Sequence, residues 1–108
     1  LSAGDLCALF GNAIENAIEA VSKLSDPADR IISLQVRENR NMLVITVDNY
    51  YEGTLTLKDG LPDTTKSDVQ NHGFGTKSIR RIAQKYGGEA TITVDDMFHL
   101  AVIIPIPA

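Results

Sequence analysis

Two pairs of directly joined strands constrain this chain more than any other feature. "RIISLQVRE" and "NMLVITVDN" are rich in β-branched and apolar residues and meet around Asn39-Arg40, so they read as an antiparallel hairpin. "EATITVDDMFHLAVIIPIPA" repeats the arrangement around Asp95-Asp96, and Pro105 and Pro107 end its second strand or place it at an edge. Each pair follows a helical pattern. From Asp5 to Leu24, Leu6, Phe10, Ala13, Ile14, Ala17, Val21 and Leu24 recur at i, i+3, i+4, i+7, with Ser2 or Asp5 as the cap. From Thr76 to Tyr86, Ile79, Ile82, Ala83 and Tyr86 do the same, and Gly87-Gly88 closes the helix. Hairpins in place of strand–helix–strand repeats predict an α+β fold: a two-layer α/β sandwich with a mixed, mostly antiparallel sheet and its helices on one face.

The connections differ in character. "SDPAD" (residues 25–29) is a turn. "TLTLK" reads as a short strand, and "DGLPDTTKSDVQN" (residues 59–71) as a long loop without periodicity, of the kind used for lids, binding loops or disordered segments. The whole chain, 108 residues with 44% hydrophobic and 22% charged side chains, is expected to form one domain over residues 1–108. A formal charge of −4 argues against a dedicated nucleic-acid partner. The lone Cys7 suits a reducing compartment, so a cytoplasmic location is expected. A start without methionine, almost directly in a helix, reads as a domain excised from a longer chain with the N-terminal part of its fold cut away, and any membrane attachment is expected to lie in segments outside it.

Three stretches carry candidate chemistry. In "NHGFGTKSIRRIAQKYGGE" (residues 71–89), Gly73 and Gly75 stand at the predicted start of a helix bearing Lys77, Arg80, Arg81 and Lys85. A helix start presents free N–H groups and partial positive charge, and glycine lets a ligand approach the backbone, so this segment is either a phosphate lid or a plain loop-to-helix junction with a solvated basic face. It matches neither the phosphate-loop nor the dinucleotide motif, because Thr76 separates Gly75 from Lys77 and Ser78 stands where a third glycine is needed. In "GNAIENAIEA" (residues 11–20), Asn12, Asn16 and Glu19 fall on one helical stripe. Amide oxygens suit magnesium; the other reading is an ordinary polar face, although two asparagines one turn apart weaken a helix. In "ITVDNYYEG" (residues 45–53), alternation with Ile45 and Val47 turns Asn49 toward the core and Asp48 away. A buried amide reads either as an adenine contact or as a local turn bond.

In order and spacing these stretches resemble the GHKL ATPases: gyrase-type enzymes, the large heat-shock chaperone, histidine kinases and MutL proteins. "NAIENAIEA" resembles their N box, "VDNYYEG" their first glycine box and "HGFGTKSIRRIAQKYGG" their second. The wording is most similar to sensor histidine kinases of the accessory-gene-regulator type. The resemblance implies a Bergerat fold that binds ATP or ADP with Mg2+. Asn16 matches the principal magnesium-binding asparagine, with Asn12 one turn before it; Gly73 and Gly75, flanked by Phe74 and Thr76, match the phosphate-contacting glycines. The lid falls on residues 58–72, and Lys66, His72 and Lys77 are candidates to reach phosphate.

Two departures matter. Gyrase-like ATPases and anti-sigma-factor Ser kinases carry a glutamate where this chain has Asn12, and an amide cannot accept a proton as a general base. The resemblance therefore implies phosphoryl transfer to an already nucleophilic histidine, with Glu15 and Glu19 as candidates to assist. In the first glycine box, Tyr50 and Tyr51 replace the first glycine and only Gly53 remains; alternation places Asn49, not its neighbour Asp48, at the adenine-reading position, and Asp48 stays a second candidate nucleotide contact. The expected role is the catalytic domain of a two-component sensor histidine kinase, partnered by a dimerisation and phosphoacceptor segment of the same protein and by a response regulator. The alternatives are a degenerate nucleotide site acting as an interaction module, or a Ser/Thr kinase of the anti-sigma-factor type.

Overall fold

The computed structural model describes residues 1–52, 57–58, 61–62 and 69–106, with side chains described over 1–52 and 76–106. The chain runs α1 (Ala3–Ser22), a single 3-10 turn (Pro27–Asp29), β1 (Ile32–Asn39), β2 (Met42–Tyr50), β3 (Leu57–Lys58), β4 (Leu61–Pro62), α2 (Val69–Lys85), β5 (Glu89–Val94) and β6 (Met97–Pro105). The main sheet has the order β1-β2-β6-β5, and every pairing in it is antiparallel. α1 lies over β2 and against α2, while α2 lies over β5 and β6, so both helices share one face. The result is a two-layer α+β sandwich.

Local chemistry sets the element ends. Ser2 caps α1 by accepting the Asp5 N–H at 3.1 Å. Just past its far end, the Arg30 guanidinium donates to the Leu24 carbonyl at 2.9 Å, tying down the turn that leaves the helix. The β1–β2 turn takes positive φ at both Arg40 and Asn41, the twist a two-residue hairpin needs. α2 ends in a Schellman motif: the Gly88 N–H donates to Ala83 C=O and the Gly87 N–H to Gln84 C=O, with Gly87 at φ +80. Gly88 has a second constraint, since a Cβ there would overlap the Ile103 carbonyl of β6.

Alternation places the core. Ile45 and Val47 of β2, Leu100, Val102 and Ile104 of β6, and Ala90 and Ile92 of β5 are buried beneath Leu9, Ala13 and Ala17 of α1 and Ile79 and Ala83 of α2. The α1 stripe is narrower than the sequence pattern predicts. Leu9, absent from that pattern, is fully buried, whereas Ile14 is 39% exposed. Ala13 and Ala17 let the helix sit close to its neighbours, so residues on the shoulder of the stripe remain outside. Ile18, Leu34 and Val36 are also exposed.

The second half departs further from expectation. α2 begins at Val69, seven residues before the predicted Thr76, so Gly73 and Gly75 lie within the helix and not at its mouth. Once a packed segment exists, helix propagates at one hydrogen bond per residue, and a glycine costs only about 1 kcal/mol against it. The expected structureless loop contains β4 and its pairing with β3. Asp59-Gly60, the residues between those strands, is a hairpin signal in its own right. Residues 53–56, with Gly53 of the first glycine box, most of the proposed lid and Lys66 lie outside the described residues.

Candidate functional site

The polar stripe of α1 faces α2. Asp5, Asn12 and Asn16 lie on one line down the helix, at i, i+7 and i+11. The first of them locates the line: the Asp5 carboxylate accepts from Lys85 Nζ at 2.8 Å and from the Tyr86 hydroxyl, both at the C-terminal end of α2. The Tyr86 oxygen in turn accepts the Ser2 N–H at 3.0 Å. Asp5 is held down to about 2 by the Lys85 and Tyr86 hydrogen bonds, and Lys85 is raised above its usual value by Asp5.

Further along the stripe, Asn12 and Asn16 are half-buried. The Asn16 Nδ2 is buried and has no hydrogen-bond partner among the described residues. Leaving such a donor unmade costs about 1–3 kcal/mol, which a fold tolerates mainly where the group has another use. Glu19 is half-buried and pairs with Lys23 at 3.6 Å. Glu15 is exposed, so α1 does not bring it to the Asn16 side.

Asn49 approaches from the sheet. It ends the inward-facing row Ile45, Val47, Asn49 of β2 and is 2% exposed. Its Nδ2 donates to the carbonyl of Tyr50 at 2.9 Å, the local bond that the sequence left open as one of two readings. One of its two N–H groups is committed there, which orients the amide and leaves its oxygen as the acceptor end. Asp48, the second candidate nucleotide contact, is not brought to Asn49's side: it points to the opposite face, where it meets His99. Beyond Asn49 the segment is anchored twice: the Tyr51 hydroxyl donates to the Asp95 carbonyl at 2.9 Å, and the Glu52 carboxylate accepts the Ser25 N–H at 2.6 Å and its hydroxyl at 3.2 Å. The Ser25 backbone bond lowers Glu52 below its usual value. Tyr50 and Tyr51, which replace the expected glycine, thus sit in a tethered strand exit; these tethers join residues 27 and 44 apart, so sequence alone did not reveal them.

On α2, Thr76 is buried on the same inward side as Ile79, and Lys77 is exposed. His72, Gly73, Phe74 and Gly75 form the second turn of the helix, and their side chains lie outside the described residues. Arg80 pairs with Glu89 at 3.5 Å.

A family model described as the GHKL domain matches residues 1–105. The chain belongs to the GHKL family. Its fold is similar to that of a histidine kinase domain from a blue-light activated histidine kinase of Erythrobacter litoralis EL346, with a TM-score of 0.61 and 18% sequence identity. That likeness covers 95% of this chain and 44% of the other, so this GHKL domain spans less than half of the kinase structure it matches. Among curated proteins none matches. Within the GHKL domain, Asn16 and Asn49 come from the two layers of the sandwich and both face its interior.

Proposed function

We propose that this GHKL domain binds Mg-ATP and is the catalytic domain of a sensor histidine kinase, passing the γ-phosphate to a histidine on a separate dimerisation segment. The observation that carries the reading is Asn16: a half-buried residue on the polar stripe of α1 whose amide nitrogen is buried without a hydrogen-bond partner among the described residues. The donor chemistry fits magnesium, because an amide oxygen is a neutral hard ligand, and an amide not pinned by the protein can turn its carbonyl outward. Asn16, with Asn12 one turn before it, would hold the ion. Bound magnesium supplies neutralisation of phosphate charge and fixes how the phosphates lie.

The protein's own residues supply the rest. The Asn49 oxygen would accept from the amino group of adenine, with one N–H of the amide kept on the Tyr50 carbonyl. Asn12 has no proton-accepting capacity, which favours transfer to a nucleophile that needs no activation over hydrolysis by water. His99 is engaged on both ring nitrogens by Asp48 and Asp95 and is unsuited to be the acceptor. A response regulator as the next acceptor, attachment to a membrane receptor through other segments, and a cytoplasmic location belong to the same proposal.

Calorimetric titration with ADP and a non-hydrolysable ATP analogue, with and without magnesium, tests it. Magnesium-dependent binding that Asn16→Ala abolishes is the expected result. Absence of binding by either nucleotide near millimolar concentration would overturn it and favour the interaction module, which the replaced glycine at Tyr50-Tyr51 also supports.

A further inference from the structure

The sheet face turned away from the helices carries a polar cluster that nucleotide contact does not use. Asp48 and His99 stand directly opposite each other on β2 and β6, with Oδ1 and Nδ1 2.6 Å apart. The other ring nitrogen, Nε2, lies 2.9 Å from Oδ1 of Asp95 in the β5–β6 turn. That same oxygen accepts the Met97 N–H at 2.8 Å, and the Asp95 carbonyl accepts the Tyr51 hydroxyl at 2.9 Å. Asp95 therefore gathers β6, the turn and the residue two beyond Asn49. Asn49 is bracketed, with Asp48 tied to His99 before it and Tyr51 tied to the turn after it. Successive strand residues project to opposite faces, so tethering Asp48 outward sets the pleat that turns Asn49 inward.

We propose that His99 is a positioning residue for the nucleotide site: by joining Asp48 to Asp95 it clamps the end of β2 and holds the Asn49 amide ready for the base on the opposite face. The proposal rests on the nucleotide reading above. His99 itself is on the wrong side of the sheet to touch the ligand.

The clamp is electrostatic as well as geometric. Facing His99 are Asp48 and Tyr50 from β2 and Asp95, with Asp96 beside it, from the turn; Thr93 stands opposite on β5, and Ser33 of β1 lies across from Asp48. With both nitrogens against carboxylate oxygens, the imidazolium, a donor at each end, is the favoured form. The Asp48 bond, then the Asp95 bond, raise His99 above its ordinary value of 6.5. Asp95 is lowered, first by the Met97 N–H and then by His99. The sign follows: the contribution of His99 is complete below 6.5 and is lost as pH rises through its higher value in the folded chain, whereas that of Asp95 is complete above 3.8 and is lost as pH falls.

The test is an NMR titration of the 108-residue chain through the histidine range, about pH 5.5 to 9, following the His99 ring and the Asn49 side-chain amide, with ADP affinity measured at each pH. The Asn49 resonances are expected to track His99, and ADP affinity to fall on the order of five-fold over the same range. His99→Gln is expected to flatten both curves at the high-pH level. Asp95→Asn, which keeps an oxygen for the Met97 amide, is expected to move both midpoints downward together. Asn49 resonances that ignore His99, or a His99→Gln chain with the original pH profile, overturn the proposal while leaving nucleotide binding intact. Absence of ADP binding at every pH overturns the nucleotide reading and the proposal with it, so the readout that is lost tells the two failures apart.

Discussion

One stripe of α1 carries two polar stations that the fold treats in opposite ways. At its start Asp5 accepts from Lys85 and Tyr86, and Tyr86 accepts from the backbone of Ser2, so the groups joining the helix ends are matched. Three turns later Asn16 lies on the same stripe, with Nδ2 buried and unmatched among the described residues. Both are polar and both face α2, so polarity does not separate a side chain that fastens the helices from one kept for a ligand. Burial without a partner does.

Four changes would break or sharpen that contrast. The largest effect is expected at the matched end, from the backbone side: Gly88→Ala forces a Cβ into the Ile103 carbonyl and should destabilise by about 2–3 kcal/mol in urea unfolding, loosening the α2 terminus that carries Tyr86. Asn16→Ala should leave stability within about 0.5 kcal/mol, since it removes an unmet donor, yet lower nucleotide affinity at least ten-fold, or about 1.4 kcal/mol, by calorimetry. An Asn16→Ala chain that loses stability as Gly88→Ala does would erase the distinction.

Next comes Ser2→Ala, which deletes the α1 cap and should cost about 1 kcal/mol without changing nucleotide affinity. The smallest effect concerns acid. Because Asp5 lies at about 2 in the folded chain against an ordinary 3.8, its contribution is present above 3.8 and lost as pH falls toward 2. Acid unfolding of Asp5→Asn beside the natural chain should show a stability difference at neutral pH that vanishes in this window. The pair is exposed to solvent, and salt should reduce the difference further.

Much of the frame was legible because it depends on near neighbours in sequence. Period-two alternation assigned Asn49 to the inner face and Asp48 to the outer, and the two glycines marked the end of α2. The pattern failed where spacing alone decides little. It omitted Leu9, since which shoulder of an apolar stripe is covered depends on how closely the alanines let α1 approach. It began α2 at Thr76 and passed over the β3–β4 pairing, weighing glycines and turn residues as breaks. The asparagines stood out in sequence as poor helix formers, but only the packing showed that one end of Asn16 is buried with no partner among the described residues.

By itself the sequence determined the order of helices and hairpins, the layer architecture and the boxes by which the GHKL family is recognised, because periodicity, turn chemistry and motif spacing are local properties of the chain. Tertiary structure alone decided which polar groups meet: Asp5 with Tyr86 across 81 residues, Tyr51 with Asp95 across 44, and His99 between Asp48 and Asp95. Those meetings follow from the register of β2 on β6 and from the helices packing side by side over the sheet. Register and packing are set by the summed burial of many apolar side chains, and no single stretch of sequence carries that sum.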